Sequence, residues 1–167
     1  MRSIVIGSLA LVLVPAVLLP AAAGCKKSNS ASTTFTATIN GAAWAANVPE
    51  TGALIATSNQ LIVGGIQYKN GDSTGITLTF SSTANFSQPM VSTGPGSSID
   101  VGYIDFKART TFDGGVTAGH STITVNSYDS AGGKVSGTFT GVLYNTSGGS
   151  DSLIVTAGVF NSTFVRD

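Results

Sequence analysis

From Phe35 onward the chain alternates apolar and hydroxyl side chains with a period of two, and this pattern restricts what it can fold into. In TFTATI, Phe35, Ala37 and Ile39 alternate with Thr34, Thr36 and Thr38. In ITLTF, Ile76, Leu78 and Phe80 alternate with Thr77 and Thr79; in STITV, Ile123 and Val125 alternate with Thr122 and Thr124. In VSGTFTGVL, Val135, Phe139 and Leu143 oppose Ser136, Thr138 and Thr140. Successive side chains of a strand point to opposite faces, so each run presents one face to a core and one to water. The chain carries a single glutamate, Glu50, and few lysines or arginines, and no stretch has the periodicity of an amphipathic helix.

Turn signals punctuate these runs. Asn40-Gly41 is a two-residue hairpin signal, and Asn70-Gly71-Asp72, Gly94-Pro95-Gly96, Asp113-Gly114-Gly115, Ala131-Gly132-Gly133 and Ser147-Gly148-Gly149 mark further turns. The Gly64-Gly65 pair in LIVGGIQY suggests a bulge or bend. LIVTAGVFNSTF, Leu153 to Phe164, reads as a last long strand broken near Gly158, and Ser82 to Ser98 as a long loop or irregular crossing. Short strands at regular spacing between Gly-rich turns predict an all-β antiparallel sandwich, with barrel-like closure as its variant, in one domain spanning residues 34–167.

The N-terminus has a different character. Arg2 precedes an apolar run from Ile4 to Leu19, then come Ala21, Ala22, Ala23, Gly24 and the chain's only cysteine, Cys25. Charge, apolar stretch and small residues occur in the order of a secretory signal. The run is shorter than the roughly 20 residues a spanning helix needs, and Pro15 and Pro20 would disturb such a helix. The small-small-Cys ending resembles a bacterial lipobox; Ala23 and Gly24 match it, and Ala22 stands where a leucine is more usual. The resemblance implies cleavage between Gly24 and Cys25, acyl chains on Cys25, and attachment to a membrane through that lipid. Several chains on one residue anchor far more firmly than one, at about 0.8 kcal/mol per buried CH₂. The expected organisation is a signal peptide over residues 1–24, a lipidated and flexible tether over 25–33, and the domain over 34–167. Lys26, in place of the aspartate that retains enterobacterial-type lipoproteins at the inner membrane, points to the outer membrane. Lys26-Lys27 does not match the acidic surface-export signal of some lineages, which favours the periplasmic face.

Three segments taken in order, FTATINGAAWAA (Phe35 to Ala46), STITVNSYDSAGGKVSGTFTGVLYN (Ser121 to Asn145) and LIVTAGVFNSTF, resemble a family of small Bacteroidetes-type lipoproteins catalogued as a domain of unknown function. The resemblance rests on Ala37 to Trp44, Thr122 to Asp129, Val135 to Phe139 and Gly158 to Phe160. It implies a β-sandwich-like lipoprotein and carries no activity.

Residues able to do chemistry are few. After removal of residues 1–24 the basic residues number seven (eight less Arg2) against eight acidic ones, so there is no electrostatic footprint for nucleic acid. His120 is the only histidine, and Ser121 beside it on a strand points to the opposite face, so a Ser-His-Asp triad is not expected. One histidine and one cysteine destined for lipid do not make a zinc site. Asp100 and Asp105 have opposite strand parity, and Asp113 and Asp129 would meet only through the fold; a hydrolase built on Asp113, Asp129 and His120 ranks last. The sequence therefore reads as a non-enzyme without cofactor, a binding or structural module of the cell envelope with an envelope protein or glycan as partner. The alternative is a surface glycan-binding or adhesion module, assisted by calcium in the oxygen-rich loops Asn70 to Thr74 and Asn145 to Asp151. Its candidate platform residues are Trp44, Tyr68, Tyr103, Tyr128 and Tyr144, though a lone Trp just past a hairpin turn is more often a core plug and Tyr128 and Tyr144, flanking turns, take common rim positions. The triplets beginning at Asp72, Asp129 and Asp151 resemble a short Bacteroidetes O-glycosylation acceptor.

Overall fold

A computed structural model describes residues 33–49, 52–55, 58–92, 94–95, 97–116 and 119–166. Gly24, Cys25 and the signal and tether segments up to Ser32 lie outside the described residues.

The described chain is all strand and turn. β1 (Thr34–Ile39) returns as β2 (Ala42–Ala45) through Asn40-Gly41, whose φ angles of 48° and 82° are the left-handed pair that Asn-Gly tolerates in a tight hairpin. β3 (Val48–Pro49) and β4 (Gly52–Ile55) lead to β5 (Gln60–Lys69), which turns at Asn70-Gly71 (φ 53° and 85°) into β6 (Asp72–Ser81). Among its described residues, the crossing predicted over residues 82–98 contains one short strand, β7 (Met90–Val91). β8 (Asp100–Asp105) and β9 (Thr110–Asp113) form a hairpin, and β10 (His120–Asp129), β11 (Lys134–Asn145) and β12 (Ser152–Arg166) complete the sheet.

Two faces pack together. One is β10–β11–β12–β1–β2 and the other β4–β5–β6–β8–β9. The faces are joined because the two longest strands change neighbours along their length. β12 pairs β1 from Val155 to Asn161, then β4 in parallel from Phe164 to Arg166. β11 pairs β10 from Lys134 to Val142, then β9 at Tyr144 and Asn145. These corners lie at opposite ends of the β11–β12 ladder, so the pairing β12–β4–β5–β6–β8–β9–β11 returns to β12. The sandwich expected from the sequence is thus a nearly closed, mostly antiparallel sheet with a barrel-like outline. A third join runs past the end of β2 to β5: β3 pairs β5 antiparallel at Val48–Ile66 and Pro49–Gly65, and Asn47 N–H donates to Ile66 O at 3.0 Å. Side chains reinforce it, with Asn47 receiving Tyr68 N–H at 2.9 Å and donating to Tyr68 O at 2.8 Å, and Gln67 donating to Ala45 O at 3.0 Å.

The core is the apolar half of every alternating run. Phe35, Phe80, Phe139 and Phe160 meet at its centre, with Phe35 and Phe139 centroids 5.3 Å apart and Phe80 and Phe160 6.3 Å apart. Burying one such side chain contributes about 1.5–3 kcal/mol. On the wet face, threonines sit opposite one another across strands, as in Thr122–Thr140 and Thr124–Thr138.

Two glycine-linked expectations are corrected. β12 is continuous through Gly158, and the irregularity is a bulge at Ala157, which has φ 50°. The register slips there against both β1 and β11. The extra residue changes parity, so Val155 before it and Phe160 and Phe164 after it all point inward. Conversely, Gly64-Gly65 makes no bulge, for β5 and β6 pair without a slip from Gln60 to Lys69. These glycines permit close approach instead: a Cβ on Gly65 would lie 2.7 Å from Ala46 Cβ, and one on Gly64 2.7 Å from Ile76 O.

Candidate functional site

The two Asn-Gly hairpins bring the ends of β1, β2, β5 and β6 to one end of the barrel, beside the end of β8. A cleft of about 250 Å³ opens there. Ile39, Ala42 and Ala43 form one wall, Gln67 and Lys69 the rim opposite, and Trp44, Thr74 and Tyr103 the floor. The floor is held by a hydrogen bond from Trp44 Nε1–H to Thr74 Oγ1 at 2.9 Å. Trp44 is 5% exposed and packs edge-on against Phe35, so most of the indole belongs to the core and its edge to the cleft. Tyr103 is half-buried and lies edge-to-face with Phe112. Burial pushes its phenol above the ordinary value, a hydrogen bond with Thr74 pulls the other way, and the Asp105 charge adds to the rise. Lys69 is exposed at the rim with no ion pair among the described residues, while its cross-strand neighbour Asp72 is held by Lys107 at 2.7 Å.

A second polar cluster lies on the outside of the barrel wall. β8 and β9 pair with Gly102 opposite Asp113, which sets Asp100 and Asp113 diagonally on one face. The Gly115 N–H donates to Asp113 Oδ1 and ties the turn after β9 to that carboxylate. Asp100 Oδ1 is shut from solvent with no well-aligned donor. Burial first, then the Asp113 charge and a carboxyl–carboxylate hydrogen bond, raise the Asp100 pKa from 3.8 to about 6, against the opposing pull of the Gly115 and Val101 backbone N–H groups. β6 presents Thr79 to Asp100 and β11 presents Tyr144 to Asp113, both uncharged neighbours. The pair suits a shared proton. Among the described residues no three His, Cys, Asp or Glu side chains gather into a metal site.

The remaining sequence candidates are dispersed. Trp44 and Tyr103 converge, whereas Tyr68 is 57% exposed on the opposite side of β5 from Gln67 and Lys69. Tyr128 stacks on Phe164 at 5.6 Å and meets Phe86 edge-on at 5.1 Å at the other end of the barrel. Tyr144 stands opposite Asp113. His120 is exposed at the first position of β10, and Ser121 beside it is fully buried. Asp129 does not meet Asp113; its Oδ1 accepts Ala131 N–H at 3.1 Å and Gly132 N–H at 2.8 Å, closing the β10–β11 turn. Asp105 likewise closes the β8–β9 turn, accepting Lys107 N–H at 2.9 Å and Ala108 N–H at 2.8 Å. Of the oxygen-rich loops, Asn70-Gly71 is a two-residue turn, and Asn145 Oδ1 accepts Ser147 N–H at 2.9 Å. In the Asp-Ser triplets, Ser130 and Ser152 are exposed and Ser73 is half-buried.

Sequence reasoning missed the Asp100–Asp113 pair because the turn that creates it, Phe106 to Arg109, contains neither Gly nor Pro. Asp105 two residues before Lys107 was the available signal, since Asp side chains cap such turns. Lys69 and Gln67 were missed as site residues because only aromatic side chains were weighed as a platform. No family model matches the chain, and neither a curated protein nor a solved structure matches it.

Proposed function

We propose that this protein is a non-catalytic binding module of the bacterial cell envelope, anchored in the outer membrane through lipid on Cys25. The observation that carries this reading is the placement of the cleft relative to the chain's N-terminal side. The domain begins at Thr34, nine residues after Cys25, and the cleft opens beyond Ile39 at the far end of β1, about 17 Å away along the strand. The chain enters the barrel at Thr34, at the end of β1 away from the cleft, so an anchor on that side would leave the cleft accessible. The lipobox-like ending at Cys25 and the resemblance to small Bacteroidetes-type lipoproteins support the same reading. A surface glycan-binding module is the second reading, favoured by the convergence of Trp44 and Tyr103.

The test is mass spectrometry of the Cys25 peptide combined with protease shaving of intact and lysed cells. Acylated Cys25 and a domain protected until lysis are expected for the periplasmic face. Cleavage on intact cells would move the domain to the surface and favour the glycan reading. A soluble protein with unmodified Cys25 would overturn both.

A further inference from the structure

The cleft has a chemical asymmetry that narrows its ligand. Its floor makes no demand for a polar ligand atom, because Trp44 Nε1–H is already spent on Thr74 Oγ1 at 2.9 Å. The wall of Ile39, Ala42 and Ala43 is apolar and shallow, and the Gln67 amide nitrogen is committed to Ala45 O at 3.0 Å. The only charge in the lining is the Lys69 ammonium, exposed at the rim and without an ion pair among the described residues; Asp72, opposite it across the strands, is paired with Lys107 instead. A space of about 250 Å³ lies just below the usual range of about 300–1,000 Å³ for drug-sized ligands and holds one ring with its substituents. An ammonium at the mouth of a small aromatic and aliphatic recess complements a ring that carries a negative group on its outward side.

We propose that the cleft takes a single six-membered ring bearing a carboxylate, the ring lying between Tyr103 and the Ala42–Ala43 wall and the carboxylate meeting Lys69. This rests on the binding-module reading above and specifies its ligand. Two sources share the chemistry: a sugar acid at the end of a glycan and an aromatic carboxylic acid. Trp44 is the chain's one tryptophan, so its fluorescence reports on this cleft alone.

The experiment is a fluorescence titration of the purified full chain with sodium glucuronate, sodium benzoate and glucose. One of the acids is expected to shift Trp44 emission saturably, at concentrations at least about tenfold below any effect of glucose. Lys69→Met should raise that midpoint by about tenfold or more without moving the thermal midpoint, since the side chain is exposed and has no ion pair among the described residues. A response to glucuronate alone identifies the sugar acid, and a response to benzoate alone the aromatic acid. Glucose binding as well as glucuronate, or Lys69→Met binding as the parent does, overturns the proposal and leaves the envelope-module reading standing. Silence with all three probes also overturns it. The envelope-module reading falls separately, on the state of Cys25.

Discussion

Asp100 and Tyr103, both half-buried polar side chains of strand β8, meet opposite surroundings. Tyr103 points inward, where β6 supplies Thr74 and β2 supplies the Trp44 indole, and the polar atoms there are paired. Asp100 points outward, where β9 supplies a second carboxylate and one oxygen is left without a good donor. A buried polar atom with a partner costs little, and one without costs about 1–3 kcal/mol. The inner cluster is therefore part of what holds the barrel end together. The outer pair is tolerated strain, relieved by a proton.

The largest effect should come from the paired cluster. Trp44→Ala removes a buried ring from the junction of core and cleft and should cost about 3–5 kcal/mol in urea unfolding. A loss under 1 kcal/mol would show that the floor is not anchored by packing.

The outer pair should answer to pH in the direction opposite to most aspartates. Asp100 holds its proton more tightly in the folded state, at about 6, than at its ordinary value of 3.8. Its stabilising contribution is therefore complete below about pH 3.8, falls as the pH rises through about 6, and is absent above. The shift corresponds to about 3 kcal/mol at full burial, and solvent at this half-buried site reduces the expected effect to about 1–2 kcal/mol. Asp100→Asn should raise stability at about pH 7.5 by that amount and flatten the profile between about pH 4 and 7. A parent profile that rises with pH across this window would contradict the shared proton.

Thr74→Val keeps the shape of the floor and removes the acceptor of the Trp44 N–H, so a loss of about 0.5–1.5 kcal/mol is expected from thermal unfolding. The smallest effect tests a largely exposed charge pair. Lys107 and Asp72 are 2.7 Å apart, yet their side chains are 73% and 47% exposed. Lys107→Ala should leave the unfolding midpoint unchanged, because water and salt screen such pairs.

Much of the fold is legible from the alternating runs, since parity alone says which side chains are buried. Phe35, Leu78, Ile123 and Phe139 are all inside, as their positions require. Asn40-Gly41 is equally legible, because few dipeptides accept two left-handed residues. The bulge at Ala157 is not, for alanine gives no local sign of a positive φ; what holds it there is the inward packing of Phe160 and Phe164 beyond it. The Gly64-Gly65 pair misleads for the complementary reason. Glycine permits both a bulge and a close approach, and the choice belongs to Ala46 and Phe35, far away in sequence.

The cleft divides along the same line. Local sequence placed Trp44 just after a hairpin and made it a candidate for both core and platform, and it serves both. Which of the tyrosines would join it depended on β8 lying beside β6 rather than elsewhere, a long-range pairing that period-two patterning does not encode. By itself, then, the sequence determined strands, faces and tight turns, because each depends on neighbours a few residues away. Ring closure, the meeting of Asp100 with Asp113, and the grouping of Trp44, Thr74, Tyr103 and Lys69 were decided by register between distant strands. The physical reason is that a strand satisfies only half of its bonding alone and takes the identity of its partners from the assembled sheet.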